Sequence, residues 1–200
     1  MTKKVEFLFD FGSPNAYLAA KALPEIEKRT GAAFVYVPVL LGGIFKATGN
    51  VSPAIANQGI RNKGEYQFLE MERFIKKHNL TKFKFNSHFP VNTLQIMRGA
   101  VAAEMDGVLP EYFEVVVAAM WEQSLKMDEP EIIKAALDAG GVDGAHILAR
   151  IQEPDVKAKL IANTEDAVAR GAFGIPTFFV DGDIYFGKDR LREVEEAIAG

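Results

Sequence analysis

Two hundred residues, 48% of them hydrophobic and 25% charged, make a chain long enough for one sizeable core or two small ones without a metal or a disulfide. A net charge of -4 and a pI near 5.5 argue against nucleic acid as a partner, because phosphates select a basic surface. The absence of cysteine removes disulfides, thiolate metal sites, a cysteine nucleophile and any protein-borne dithiol couple, so a thiol used here has to be borrowed.

The opening MTKKVEFLFDFGSP places two lysines before a short apolar run that Asp10 interrupts. Neither a secretory leader nor a membrane span is expected there, and a cytoplasmic location follows as the expectation. Residues 5–9, VEFLF, read as a strand, and Gly12-Ser13-Pro14 supplies a turn, an N-cap and a proline suited to the first helical position. The helix starting at Pro14 carries Ala16, Ala20, Leu23 and Ile26 at helical spacing and meets Gly31 at its end. A second strand is expected over AFVYV, 33–37.

The middle of the chain has almost no strand signal. Phe68, Met71, Phe74 and Ile75 share one face of a helix over 65–78, and Phe113, Val116, Val117, Met120 and Trp121 share one over 110–123, with Trp121 read as core. Helical patterns also fit 92–106, 130–139 and 143–151. Near the C-terminus a helix carries Val156, Leu160, Ile161, Thr164, Ala167 and Val168 on one side, TFFV and IYF flank Asp181-Gly182-Asp183 as a hairpin, and RLREVEEAIA reads as a closing amphipathic helix. The pattern predicts an α/β fold in which β-α-β at one end and α-β-β-α at the other meet around an all-helical insertion. The division is 1–38 plus 156–200 for the sheet-bearing domain and 39–155 for the insertion.

Two short motifs carry the chemistry. Ser13-Pro14 is what any helix start can show, yet Ser13 also stands between the first strand and the first helix, where ligands of open α/β sheets and anions collect. In GAFGIPTFFVDG, 171–182, Ile175-Pro176 is either a plain proline at a strand entry or a cis peptide, which X-Pro alone adopts at small cost. His78, His88 and His146 sit in separate elements with no metal spacing, and neither dinucleotide nor P-loop glycine motifs occur.

The combination resembles a thioredoxin fold, in which a helix-capping active-site residue faces a cis-proline at the later hairpin. FDFGSPNAY (9–17) is similar to the segment of kappa-class glutathione transferases and 2-hydroxychromene-2-carboxylate isomerases in which serine replaces the first redox cysteine. LLGGIFKATGN (40–50), RNKGEY (61–66) and FGKDRL (186–191) match the same two families, so the likeness spans the chain. The resemblance implies glutathione as cofactor and Ser13 as the catalytic serine. It further implies Asn50 at the site, Ile175 before Pro176 pairing through its backbone with the cysteinyl part, and Asp189 on the γ-glutamyl amine. Lys188 departs from the small polar residue of relatives, leaving its backbone N–H for binding. Lys46, Lys63, Asn57 and Phe89 are candidates for the substrate.

The isomerases act by reversible thiolate addition to an unsaturated aromatic-degradation intermediate, ring opening, bond rotation and elimination, whereas kappa transferases stop at a conjugate or reduce peroxides. The resemblance thus implies a small aromatic or electrophilic substrate and, from kappa relatives, a homodimer. A catalytically idle binding module is the remaining class. Lowering a thiol from about 8.5 to roughly 6.5 takes ~2.7 kcal/mol. A hydrogen bond to the charged form at about 1.5–3 kcal/mol and a helix N-terminus at about 0.3–1 kcal/mol together supply that.

Overall fold

All five residues of Val5–Phe9 (β1) are buried in the computed structural model, which describes residues 3–200. That burial marks a central strand covered on both faces. Phe34–Pro38 (β2) runs parallel to it with Val5 opposite Phe34, and Thr177–Val180 (β3) runs antiparallel on the other side with Val5 opposite Val180. Asp183–Phe186 (β4) completes the order β2-β1-β3-β4. The turn between β3 and β4 holds Asp181 at φ 49° and Gly182 at φ 101°, the two positive values that an Asp-Gly hairpin supplies.

Pro14–Thr30 (α1) links β1 to β2, opened by Ser13 as N-cap and closed by Gly31 in the left-handed region. Leu41–Thr48 (α2), Pro53–Ala56 (α3), Lys63–Lys77 (α4), Leu94–Met105 (α5), Leu109–Trp121 (α6), Pro130–Ala139 (α7) and Gly144–Arg150 (α8) follow. Pro154–Ala169 (α9) leads back to the sheet, and a single 3-10 turn, Lys188–Arg190, precedes Leu191–Ala199 (α10). Among the described residues no strand lies between 39 and 155, and the terminal segments build the whole sheet.

The sheet face bearing Phe7 and Phe9 is packed by aromatics: Phe7 stacks on Phe178 at 5.3 Å, and Phe113 of α6 meets Phe9 at 5.0 Å and Tyr36 at 4.9 Å edge-on. On the opposite face Arg170, after α9, lies 3.7 Å over the Phe179 ring and 2.5 Å from the carboxylate of the buried Glu6, which gives that charge a partner. One buried cluster runs from β1 through α5, α6 and α9.

Three details differ from the sequence reading. The second strand is shifted one residue, to 34–38. Ile161 is 57% exposed, because Leu160 and Thr164 take the inward positions of α9. Finally, α2 and α3 form where no helix was expected. Gly42 and Gly43 lower the local propensity, but a Cβ on Gly43 would stand 3.0 Å from the Thr164 methyl, so the close approach of α2 to α9 asks for glycine there.

A similar approach joins α5 to α6. A Cβ on Gly99 would lie 2.1 Å from the Tyr112 hydroxyl, which donates to the Ile96 carbonyl at 2.8 Å. Gly99→Ala is therefore expected to lose about 1–3 kcal/mol of stability in urea unfolding through overpacking. A loss below about 0.5 kcal/mol would mean that the α5/α6 contact yields freely and is not a packing constraint.

Candidate functional site

The strand β1 ends in a knot around Asp10, which is 1% exposed. One carboxylate oxygen accepts from the Gly12 N–H at 2.8 Å, the other from the Leu41 N–H at 2.8 Å, and the Thr93 hydroxyl bonds the same group. Burial pushes the Asp10 carboxyl above its ordinary range, and those three donors pull the other way without cancelling it. From the far side, the Trp121 indole N–H donates to the Phe11 carbonyl at 2.8 Å. The loop 10–13 is thereby held by the starts of α2 and α5 and by the end of α6.

That loop delivers Ser13. Its N–H donates to the Asp10 carbonyl at 3.0 Å, its Oγ accepts from the Ala16 N–H at 3.2 Å, and its hydroxyl donates to the Ile175 carbonyl at 3.1 Å. The Ile175–Pro176 peptide is cis. The Pro176 carbonyl accepts from the Gly187 N–H at 2.9 Å, which brings the 3-10 turn with Lys188 and Asp189 to the same place. Asn50, just past α2, donates to the Phe173 carbonyl at 2.8 Å and accepts from the Val51 N–H at 2.8 Å. Ser13, Asn50, Ile175, Pro176, Lys188 and Asp189 are thus joined by hydrogen bonds and short stretches of chain.

Lys188 is 5% exposed, with its Nζ 2.5 Å from Asp189 Oδ1 and 5.1 Å from the centre of the Phe74 ring. The Asp189 side chain is 70% exposed, so one oxygen holds Lys188 and the rest of the carboxylate meets solvent. The four substrate candidates are not gathered in the same way. Lys46 lines a cavity of about 560 Å³ between α2, α5 and α9. Asn57 follows α3, Lys63 opens α4, and Phe89 packs 5.3 Å from Phe85 and 6.3 Å from Trp121, all outside that cavity.

A family model described as a DSBA-like thioredoxin domain matches residues 4–199. The chain is 26% identical over 195 residues to a 2-hydroxychromene-2-carboxylate isomerase of Sphingobium xenophagum, covering 98% of this chain and 97% of the relative. It is 32% identical over 202 residues to glutathione S-transferase kappa 1 of Rattus norvegicus, covering 94% and 87%. Among solved structures, a 2-hydroxychromene-2-carboxylate isomerase superposes with a TM-score of 0.83 at 25% identity, covering 97% of this chain and 93% of that one. The chain belongs to the DsbA-like thioredoxin family, with the 2-hydroxychromene-2-carboxylate isomerases and kappa-class transferases as relatives. Its thioredoxin-like α/β fold with a helical insertion is the one expected from the sequence.

Sequence reasoning missed Asp10 and the loop-holding role of Trp121. The available signal was an ionisable residue set among Phe7, Leu8, Phe9 and Phe11, a position that costs free energy unless donors surround it.

Asp10→Asn is expected to cost about 1–3 kcal/mol, since an amide nitrogen would face a backbone N–H where an oxygen accepted one. The pH dependence carries a sign. With its folded value raised above the unfolded one, Asp10 contributes stability that is complete below the ordinary aspartate range and is lost as pH rises through the folded value. The asparagine variant lacks that slope, so the wild-type advantage in urea unfolding should shrink from about pH 3 upward. Equal slopes in the two proteins would remove Asp10 as a titrating group.

Proposed function

We propose that the chain is a glutathione-dependent enzyme that isomerises 2-hydroxychromene-2-carboxylate or a similar aromatic-degradation intermediate. The observation that carries this reading is the Ser13 hydroxyl bonded to the Ile175 carbonyl across the start of α1, beside a cis Pro176. The relatives' names, isomerase and glutathione transferase, support the reaction class.

The donor set suits a peptide-like thiol. Among the described residues the Asn15 N–H, at the second helical position of α1, has no acceptor and points with the helix N-terminus toward negative charge. The Ile175 carbonyl is an acceptor of the kind an extended ligand's amide would use. Asp189 offers an oxygen not taken by Lys188 to an amine. A thiol bound there would add to and leave an electron-poor double bond, which allows rotation without net consumption.

What the protein itself does follows from one exchange. The Ser13 hydroxyl has a single hydrogen, and it is committed to Ile175. When a ligand N–H takes the Ile175 carbonyl, the Ser13 hydrogen is free to turn toward sulfur without leaving that carbonyl unpaired. Ligand recognition and stabilisation of the sulfur charge are then coupled at one atom. Meanwhile Ser13 Oγ keeps the Ala16 N–H, so the cap persists through the exchange.

A kappa-type transferase or peroxidase is the second reading, favoured by the higher identity to the rat protein. The same proposal includes a cytoplasmic homodimer, for which the exposed Ile55, Ile60, Tyr66 and Phe68 offer apolar surface. It also keeps the division into 1–38 plus 156–200 and 39–155.

Ser13→Ala is expected to lose about 0.5–2 kcal/mol of stability with the cap, and to raise the pKa of bound glutathione by roughly one to two units. Ser13→Gly should restore the cap to within about a few tenths of a kcal/mol while leaving the pKa as high as in the alanine variant. Thiolate absorbance against pH, beside urea unfolding, separates the two effects. If the glycine variant ionises bound glutathione as readily as wild type, Ser13 is only a cap. Failure of the protein with glutathione to convert 2-hydroxychromene-2-carboxylate while conjugating chlorinated aromatics would transfer the assignment to the kappa-type reading.

A further inference from the structure

The cavity between α2, α5 and α9 is built unlike the site around Ser13. Its walls are apolar, from Leu40, Leu94, Leu160, Ile161 and Val168, and its volume of about 560 Å³ falls in the range of small-ligand sites. Three cations also line it: Lys46 from α2, Arg98 from α5 and Lys157 from α9. Among the described residues none of the three takes part in an ion pair, although most lysines and arginines that do so here find a carboxylate within four residues in sequence. The one carboxylate in the lining, Glu165, is likewise unpaired, so three cations and one anion leave the cavity with a net charge of +2.

Arg98 is the informative member. It is half-buried, it stands among apolar side chains, and among the described residues no side-chain hydrogen bond or ion pair serves its guanidinium. A partly desolvated guanidinium without an acceptor is costly, and its planar fork matches a carboxylate with two parallel bonds. Apolar walls with such a fork select a molecule of the same mixed character, an apolar body ending in one carboxylate.

We propose that this cavity binds small apolar monocarboxylates, with the carboxylate on Arg98, Lys46 and Lys157 at the rim, and the apolar body against Leu94, Leu160 and Ile161. The site adjoins residues that hold the loop carrying Ser13. Leu40 and Leu94, which line it, each adjoin a residue that grips Asp10: the Leu41 N–H and the Thr93 hydroxyl. The assignment stands apart from the thiol reading, since binding here needs no glutathione, and loss of either would leave the other standing.

Isothermal titration calorimetry of the whole protein with octanoate, and with 1-octanol as a neutral body of the same length, tests it. Octanoate should bind, and more tightly than 1-octanol. Arg98→Met, which keeps the aliphatic stem, should weaken octanoate by roughly ten- to a hundredfold and leave 1-octanol unchanged. Ala47→Phe, at an exposed position of α2 that lines the cavity, should weaken both, with circular dichroism confirming that each variant is folded. The proposal is overturned by octanoate failing to bind at about 10 mM, by equal affinity for octanoate and 1-octanol, or by octanoate affinity unchanged in either variant.

Discussion

A buried carboxylate has to be surrounded by donors, and in this chain that requirement brings together segments that are distant in sequence. Asp10 takes its donors from Gly12, two residues away, from Leu41 at the start of α2, and from Thr93 at the start of α5. Each bond is directional, so satisfying them fixes where two helices begin relative to the end of β1. The loop 10–13 cannot relax without leaving partly buried amides unpaired, at up to about 1–3 kcal/mol each. Trp121 closes the last side of the loop through the Phe11 carbonyl. Ser13 is held still because the residues before it are.

The helical segment therefore does more than cover the sheet. Phe113 enters the aromatic packing of β1 and β2, while α9 brings Thr164 to the Leu40 N–H at 3.0 Å and Arg170 to Glu6. The contacts of Phe113 and Thr164 run across the boundary between terminal and central sequence, while Arg170 and Glu6 tie two terminal segments together. A substitution in α5 or α6 is then expected to be felt at the Ser13 loop through Asp10 and Trp121, without touching any ligand.

Much of this was legible in the sequence. The run VEFLF, the Ser13-Pro14 start, the Asp181-Gly182 turn and the periodic helices carry local signals that tertiary structure did not override. Gly42-Gly43 hid α2, because the reason for glycine is the Thr164 methyl on a helix over a hundred residues away. The face of α4 had the right period, yet the helix has no fully buried residue: Met71, Phe74 and Ile75 pack partly and Phe68 stays 56% exposed. Periodicity reports that a face is apolar, and how deeply a neighbour covers it is a property of the fold. Asp10 was read as the end of an apolar run because its partners, Leu41 and Thr93, become neighbours only after folding.

Lys188 shows how one side chain links the Ser13 region to that loosely seated helix. An ammonium that is 5% exposed needs compensation, and Asp189 supplies it from the next residue while Phe74 of α4 presents a ring face at 5.1 Å. The cation thus ties α4 to the turn that hangs from Pro176 through Gly187. The same pairing occupies one oxygen of Asp189 and leaves the other to solvent. A small polar residue at position 188 would free the carboxylate and at the same time release Phe74. A free Asp189 carboxylate and an anchored α4 are therefore opposed through a single residue, and lysine at this position favours the anchored helix.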